Sequence, residues 1–227
     1  MNEAPRELLQ EAADWRLLSL LFECPSEPWR GQVDALAREA SDGALREAAA
    51  LALAEAAEGV YHSVFGPGGP APAREASYRS GFQLGYLLAS LSAMYEAFGY
   101  RPATPEAPDH AAVETGFAAY LKFKQAYAES CGAAGEARMC IEAEERFTRE
   151  HLRVLAGPLA ERLATGAPRY LVLAGRVLLE RVGPPEAAPA FVLPGEADGD
   201  ELACGAEAQA ADPLVQLAFP EAPHGSR

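Results

Sequence analysis

Apolar residues recur along this chain at intervals of three and four, and strict alternation of apolar and polar positions does not stand out. That spacing is the mark of amphipathic helices rather than half-buried strands. The series Leu8, Ala12, Trp15, Leu18 and Leu21 predicts a helix from Pro5 to Glu23. Cys24-Pro25 ends it, because the residue before a proline avoids the α region. Ser26 is placed to cap a short second helix carrying Trp29, Val33 and Leu36. A third, long helix is predicted from Gly43 to Phe65, stopped by Gly66-Pro67. After a Gly/Pro-rich connector, a helix from Ser77 to Phe98 carries the stripe Phe82, Tyr86, Ala89, Ala93 and Ala97, and Gly99 closes it.

A second Pro-rich corner follows, and Asp109 reads as the N-cap of the next helix, which shows Val113, Phe117, Tyr120, Lys124 and Tyr127. Gly132 and Gly135 interrupt the pattern. It resumes from Glu136 to Ala156, with Cys140, Glu144, Phe147, His151 and Leu155 near one face, and Gly157-Pro158 is expected to bend or break it. A last helix is predicted from Pro168, a good first-turn residue, to about Val182. The expected fold class is therefore all-α: a single bundle-like domain of about seven to ten helices over residues 1–182, in two halves meeting near 99–110. Residues 183–227 read differently, as an irregular acidic tail with eight acids against one arginine. Two apolar patches within it, 190–193 and 214–219, are the segments able to dock elsewhere.

Composition sharpens this picture. Alanine and leucine dominate the apolar half of the chain and favour helix on propensity. The 227 residues are enough to bury a real core. A net charge of −14 argues against nucleic acid as a partner and favours a basic ligand or peptide. The acidic, amphipathic start lacks the order of a signal peptide. No run approaches the roughly 18 apolar residues of a membrane span, so no membrane insertion is expected. The four cysteines, Cys24, Cys131, Cys140 and Cys204, show no CxxC pairing and read as free thiols in a reducing cytoplasm.

Little catalytic chemistry is visible. His62, His110 and His151 show no ligand spacing such as HxxxH or HExxH, so no metal or other cofactor is expected. There is no GxSxG, and GPGGP lacks the Lys-Ser/Thr of a phosphate loop. The stretch from Glu106 to Leu121 stands out, because Asp109, His110 and Glu114 cluster at the start of an apolar-patterned helix. On spacing alone two readings stay open. The trio is a well-capped helix start, stabilised by acids near the N-terminus, or it presents negative charge beside Phe117 to capture a basic, apolar peptide.

At this corner the chain resembles the TorD/DmsD/NarJ family of redox-enzyme maturation chaperones. Pro108, Asp109 and His110, then Glu114, Phe117 and Leu121, are similar to the family's E-P-D-H corner and the E-L-x-F-M-x-x-L that follows it. Upstream, Tyr61, Phe65, Glu75, Ser77 and Tyr78 fall in register with Y-x-x-L-F, a Pro-rich loop and Y-E-S-x-Y. Downstream, Phe147, His151 and Leu152 match F-x-x-x-H-L. The chain departs from the pattern at Ala107, inserted between Glu106 and Pro108, at Thr115 and Ala118, and at Arg74, where tyrosine is usual.

The resemblance implies a cytoplasmic, non-enzymatic chaperone, monomeric or dimeric. Its partner would be the catalytic subunit of a molybdenum-containing oxidoreductase, bound through an N-terminal leader, often a twin-arginine signal peptide, until the molybdenum cofactor is inserted. Glu75, Tyr78, Asp109, His110, Glu114 and Phe117 are then the expected peptide-binding residues. A helical nucleotide hydrolase and a structural helical adaptor are the alternatives.

Overall fold

Trp29 marks how the first helices are joined: its indole N–H donates to the carbonyl of Leu20 at 2.7 Å, with the ring buried. In the computed structural model, which describes residues 3–81 and 83–184, the described residues are all-helical, with nine α-helices. They are α1 (Glu3–Leu21), α2 (Glu27–Glu39), α3 (Gly43–Glu55), α4 (Glu58–Phe65), α5 (Leu84–Phe98), α6 (Ala111–Ser130), α7 (Ala134–Phe147), α8 (Arg153–Ala164) and α9 (Arg169–Val182). A 3₁₀ turn, Glu75–Ser77, and a π-helical turn, Thr148–Leu152, complete the set. The described residues form one compact unit. Residues 185–227, which hold most of the acidic tail and both of its apolar patches, lie outside the described residues.

The core is built around α6, which packs most extensively on α1 and next on α7. From Ala111 to Ala119 every residue of α6 is buried. A helix buried on all sides must be small where neighbours approach, and AAVETGFAA meets that need. At Gly116 an added Cβ would lie 2.4 Å from the Tyr100 hydroxyl and 3.1 Å from Ser19 Oγ. Phe117 is fully buried among Tyr95, Tyr100, Phe98 and Phe147, with ring centroids 4.8–6.0 Å away.

Several helix boundaries differ from the periodicity. The long third helix is two, α3 and α4, with Ala56 and Ala57 extended. Arg30 of α2 explains the break, donating to the carbonyls of Leu53 at 2.6 Å and Ala56 at 3.2 Å. A tertiary cap of this kind is invisible to propensity. α5 begins at Leu84 rather than Ser77, because Gly81 takes a left-handed φ of 70° that ends any helix there. Its buried face is Leu87, Leu91, Met94 and Tyr95. Tyr86, Ala89, Ala93 and Ala97 are exposed instead, and Phe82 lies outside the described residues. Asp109 does not cap α6. His110 is the N-cap, its ring accepting from the Ala112 N–H. Pro158 sits inside α8 without ending it, and the irregularity falls one turn earlier, at the π turn.

Candidate functional site

Two stretches of extended backbone bring the motif segments together. Residues 74 and 110 form an isolated antiparallel bridge: the Ala111 N–H donates to Ala73 O at 2.7 Å, and the Glu75 N–H to Asp109 O at 2.8 Å. This places the 3₁₀ turn of Glu75 against the start of α6.

Asp109 is fully buried and spends its carboxylate locally. Arg74 Nε donates to one oxygen at 2.8 Å, and the Ala76 N–H reaches the other at 3.2 Å. Arg74, the residue that departs from the family pattern, is thus the counter-ion of the corner. Glu75 is equally buried. It pairs with Arg79 one turn on, and its other oxygen meets His151 Nδ1 at 3.0 Å. His151 reaches it from the π turn. Such a turn adds one residue to the helical register and re-aims a side chain, which is why π-bulges recur at functional positions.

His110 is buried and neutral. Its Nδ1 accepts from Ala112, which leaves the ring proton on Nε2, 3.2 Å from the Tyr61 hydroxyl. Tyr61 donates in turn to Glu106 at 2.8 Å. Burial lowers the His110 pKa to about 4; the Glu106 and Asp109 charges raise it in part, and Arg74 lowers it further.

Glu114 has no such provision. It is fully buried, no donor among the described residues reaches either carboxyl oxygen, and the side chain within hydrogen-bonding reach is the Glu75 carboxyl. Burial raises its pKa well above the usual carboxylate range, and the Glu75 carboxylate and Asp109 push the same way against Arg79. Its surroundings therefore favour the protonated acid, which as a donor can approach Glu75.

The expected peptide-binding residues are thus gathered in one region, but from the inside. Glu75, Asp109, His110, Glu114 and Phe117 are buried, and none presents a free side chain to solvent. Tyr78 is half-buried, donates to the Pro72 carbonyl at 2.7 Å and stacks under Arg162. The accessible face lies next to them. A cavity of about 630 Å³ opens between α5 and the π turn, lined by Arg79, Gln83, Tyr86, Leu87, Glu150 and His151. Tyr86 is 74% exposed there. Arg79 and His151 form the cavity wall, and both touch Glu75 directly.

Sequence reasoning missed Arg79, Tyr86 as a surface residue, and Leu87. Arg79 was legible as the i+4 partner of Glu75. A more apolar cavity of about 420 Å³ lies between α1 and α6, beside Leu9, Tyr100, Tyr120 and Phe123, and none of the motif residues lines it. Among the described residues no His, Cys, Asp and Glu cluster is arranged to hold a metal. Cys24, Cys131 and Cys140 are free thiols.

A family model described as nitrate reductase delta subunit matches residues 24–161. The match spans the corner, the 3₁₀ turn, the π turn and the cavity between them. No curated protein matches the chain.

Proposed function

The chain belongs to the nitrate reductase delta subunit family, the maturation chaperones of molybdoenzymes, and on that premise we propose that it binds the N-terminal leader of a molybdenum oxidoreductase catalytic subunit. In this reading it acts in the cytoplasm and holds the subunit until its cofactor is inserted. The leader docks in the cavity between α5 and the π turn. Leu87 and Tyr86 give it apolar contact, and Glu75, Tyr78, Asp109, His110, Glu114 and Phe117 fix the wall behind.

One observation carries the reading. The three family-like segments, far apart in sequence, are joined by Arg74–Asp109 and Glu75–His151 contacts, and His151 together with Arg79, the ion-pair partner of Glu75, lines one accessible cavity. The net charge of −14 favours a leader bearing basic residues, through long-range attraction that raises the encounter rate. The magnitudes suit a releasable complex. Burying three leader side chains gains about 1.5–3 kcal/mol each, and ordering the segment takes back about 2–5 kcal/mol. Among the described residues no helix is long and apolar enough to cross a membrane.

Binding is favoured over hydrolysis because two acids of the corner are committed, Asp109 to Arg74 and Ala76 and Glu75 to Arg79 and His151, and the third, Glu114, is fully buried and does not line the cavity. The test is a titration of a fluorescent client leader against the parent and Tyr86→Ala. Tyr86 is exposed and makes no core contact, so the variant should bind several-fold more weakly, by about 1 kcal/mol, with an unchanged melting temperature. Equal affinity removes the cavity from the account.

A further inference from the structure

The buried acids of the corner outnumber the cations that reach them. Arg74 serves Asp109, and Arg79 serves Glu75. Glu114 is left without a cation of its own: it is fully buried, no donor among the described residues reaches its oxygens, and the side chain within hydrogen-bonding reach is another acid, Glu75. Native structures seldom keep such a group without a use for it. Arg79 connects the corner to the cavity: it pairs with Glu75, its charge acts on Glu114, its side chain is 27% exposed, it lines the cavity, and it also donates to the Glu150 carbonyl.

We propose that Glu75 and Glu114 form a guanidinium-binding site for an arginine side chain of the bound client, occupied in the free protein by the chain's own Arg79, which the client's arginine displaces. This inference rests on the reading of the cavity as the leader site and deepens it. Arginine is the ligand of choice because its planar fork carries five donors and matches paired carboxyl oxygens. Arg79 makes only part of that use of the site. It is tethered four residues from Glu75 and holds the Glu150 carbonyl as well. An incoming guanidinium has neither constraint and can serve Glu114 too. Exchange of one guanidinium for another leaves Glu75 paired throughout, and the freed Arg79 head moves into water beside the half-exposed Glu150 carboxylate.

A proton accompanies the exchange. In the free protein burial, Glu75 and Asp109 favour the protonated form of Glu114, with Arg79 opposing; His151 faces it through Glu75, and Tyr95 also interacts with it. Paired with a client arginine it becomes a carboxylate, and its proton goes to solvent. Binding therefore strengthens as pH rises, up to the pKa of Glu114 in the free protein.

The test uses two acetylated leucine/serine peptides that differ at one central residue, arginine or its neutral isostere citrulline. Each is titrated calorimetrically into the parent, Glu114→Gln, Arg79→Ala and Tyr86→Ala, in two buffers of different ionisation enthalpy. The arginine peptide should bind the parent at least about tenfold more tightly than its twin and release protons on binding, which its twin does not. Glu114→Gln, which keeps the side-chain shape, should lose most of that preference and the proton release. Arg79→Ala, with no internal competitor, should enlarge the preference. Equal binding of the two peptides, or a preference that survives Glu114→Gln, overturns the guanidinium site. If Tyr86→Ala still weakens both peptides in that case, leader binding in the cavity stands. If Tyr86→Ala has no effect on either, that reading falls and the inference with it.

Discussion

The carboxylate of Glu75, on a 3₁₀ turn, meets the imidazole Nδ1 of His151, on a π turn, at 3.0 Å, with both side chains buried. Two irregular turns 76 residues apart in sequence are thereby fixed to each other, and the cavity lies beside their contact. Removing one partner of a buried pair strands the other, a loss of about 3–5 kcal/mol. Glu75→Ala, which strands Arg79 as well, should lower the unfolding free energy by that order in urea denaturation. A loss below about 1 kcal/mol would mean that the turns are held by other contacts.

Glu114 should make stability fall as pH rises. Its folded pKa lies well above the ordinary glutamate value of 4.5, so the folded state holds the proton more tightly than the unfolded chain. The stability this contributes is full below pH 4.5 and is lost as pH rises through the folded pKa. Glu114→Gln removes the titration. Subtracting the variant's pH–stability curve from the parent's should give a difference that declines steadily above pH 4.5. A flat difference would show that Glu114 is ionised in the folded protein.

His110 should stay neutral where an ordinary histidine is charged. Its pKa is lowered to about 4, so the unfolded chain binds the proton first, and this contribution to stability is lost as pH falls from the ordinary value of 6.5 through 4. Nitrogen-detected NMR should show the proton on Nε2 and no titration of His110 above about pH 5. His110→Ala removes the helix cap as well, at about 0.5–2 kcal/mol.

Gly116→Ala should be costly although alanine is the better helix former. The new methyl would meet the Tyr100 hydroxyl at 2.4 Å and displace its hydrogen bond to the Val113 carbonyl. Overpacking of this kind costs about 1–3 kcal/mol. Thermal unfolding of the single variant measures it, and an unchanged midpoint would mean that the ring shifts freely.

The all-helical class was legible because period-3.6 patterning runs through the described body, and α1 buries Ala12, Trp15, Leu18 and Leu21 as that pattern requires. The site was legible only as a neighbourhood. Glu75, Asp109, His110, Glu114 and His151 do converge, but a linear motif does not tell which side of a helix wall it occupies. Phe117 suits a peptide groove and a core equally well, and tertiary packing put it in the core. Asp109 has the chemistry of an N-cap, yet Arg74 and the Ala76 amide compete for its carboxylate and win, leaving the cap to His110. The π turn left no trace in periodicity, since one extra residue in a helix mimics ordinary drift of the apolar stripe.

The central claim is that a molybdoenzyme leader docks between α5 and the π turn. Amide hydrogen exchange of the intact chain, with and without a saturating leader peptide from a nitrate-reductase-type catalytic subunit, tests it most directly. New protection is expected over Leu84–Phe98 and Thr148–Leu152, and little change in the Leu9, Tyr120 and Phe123 region between α1 and α6. Protection confined to the α1–α6 cavity, or none anywhere, would contradict the account.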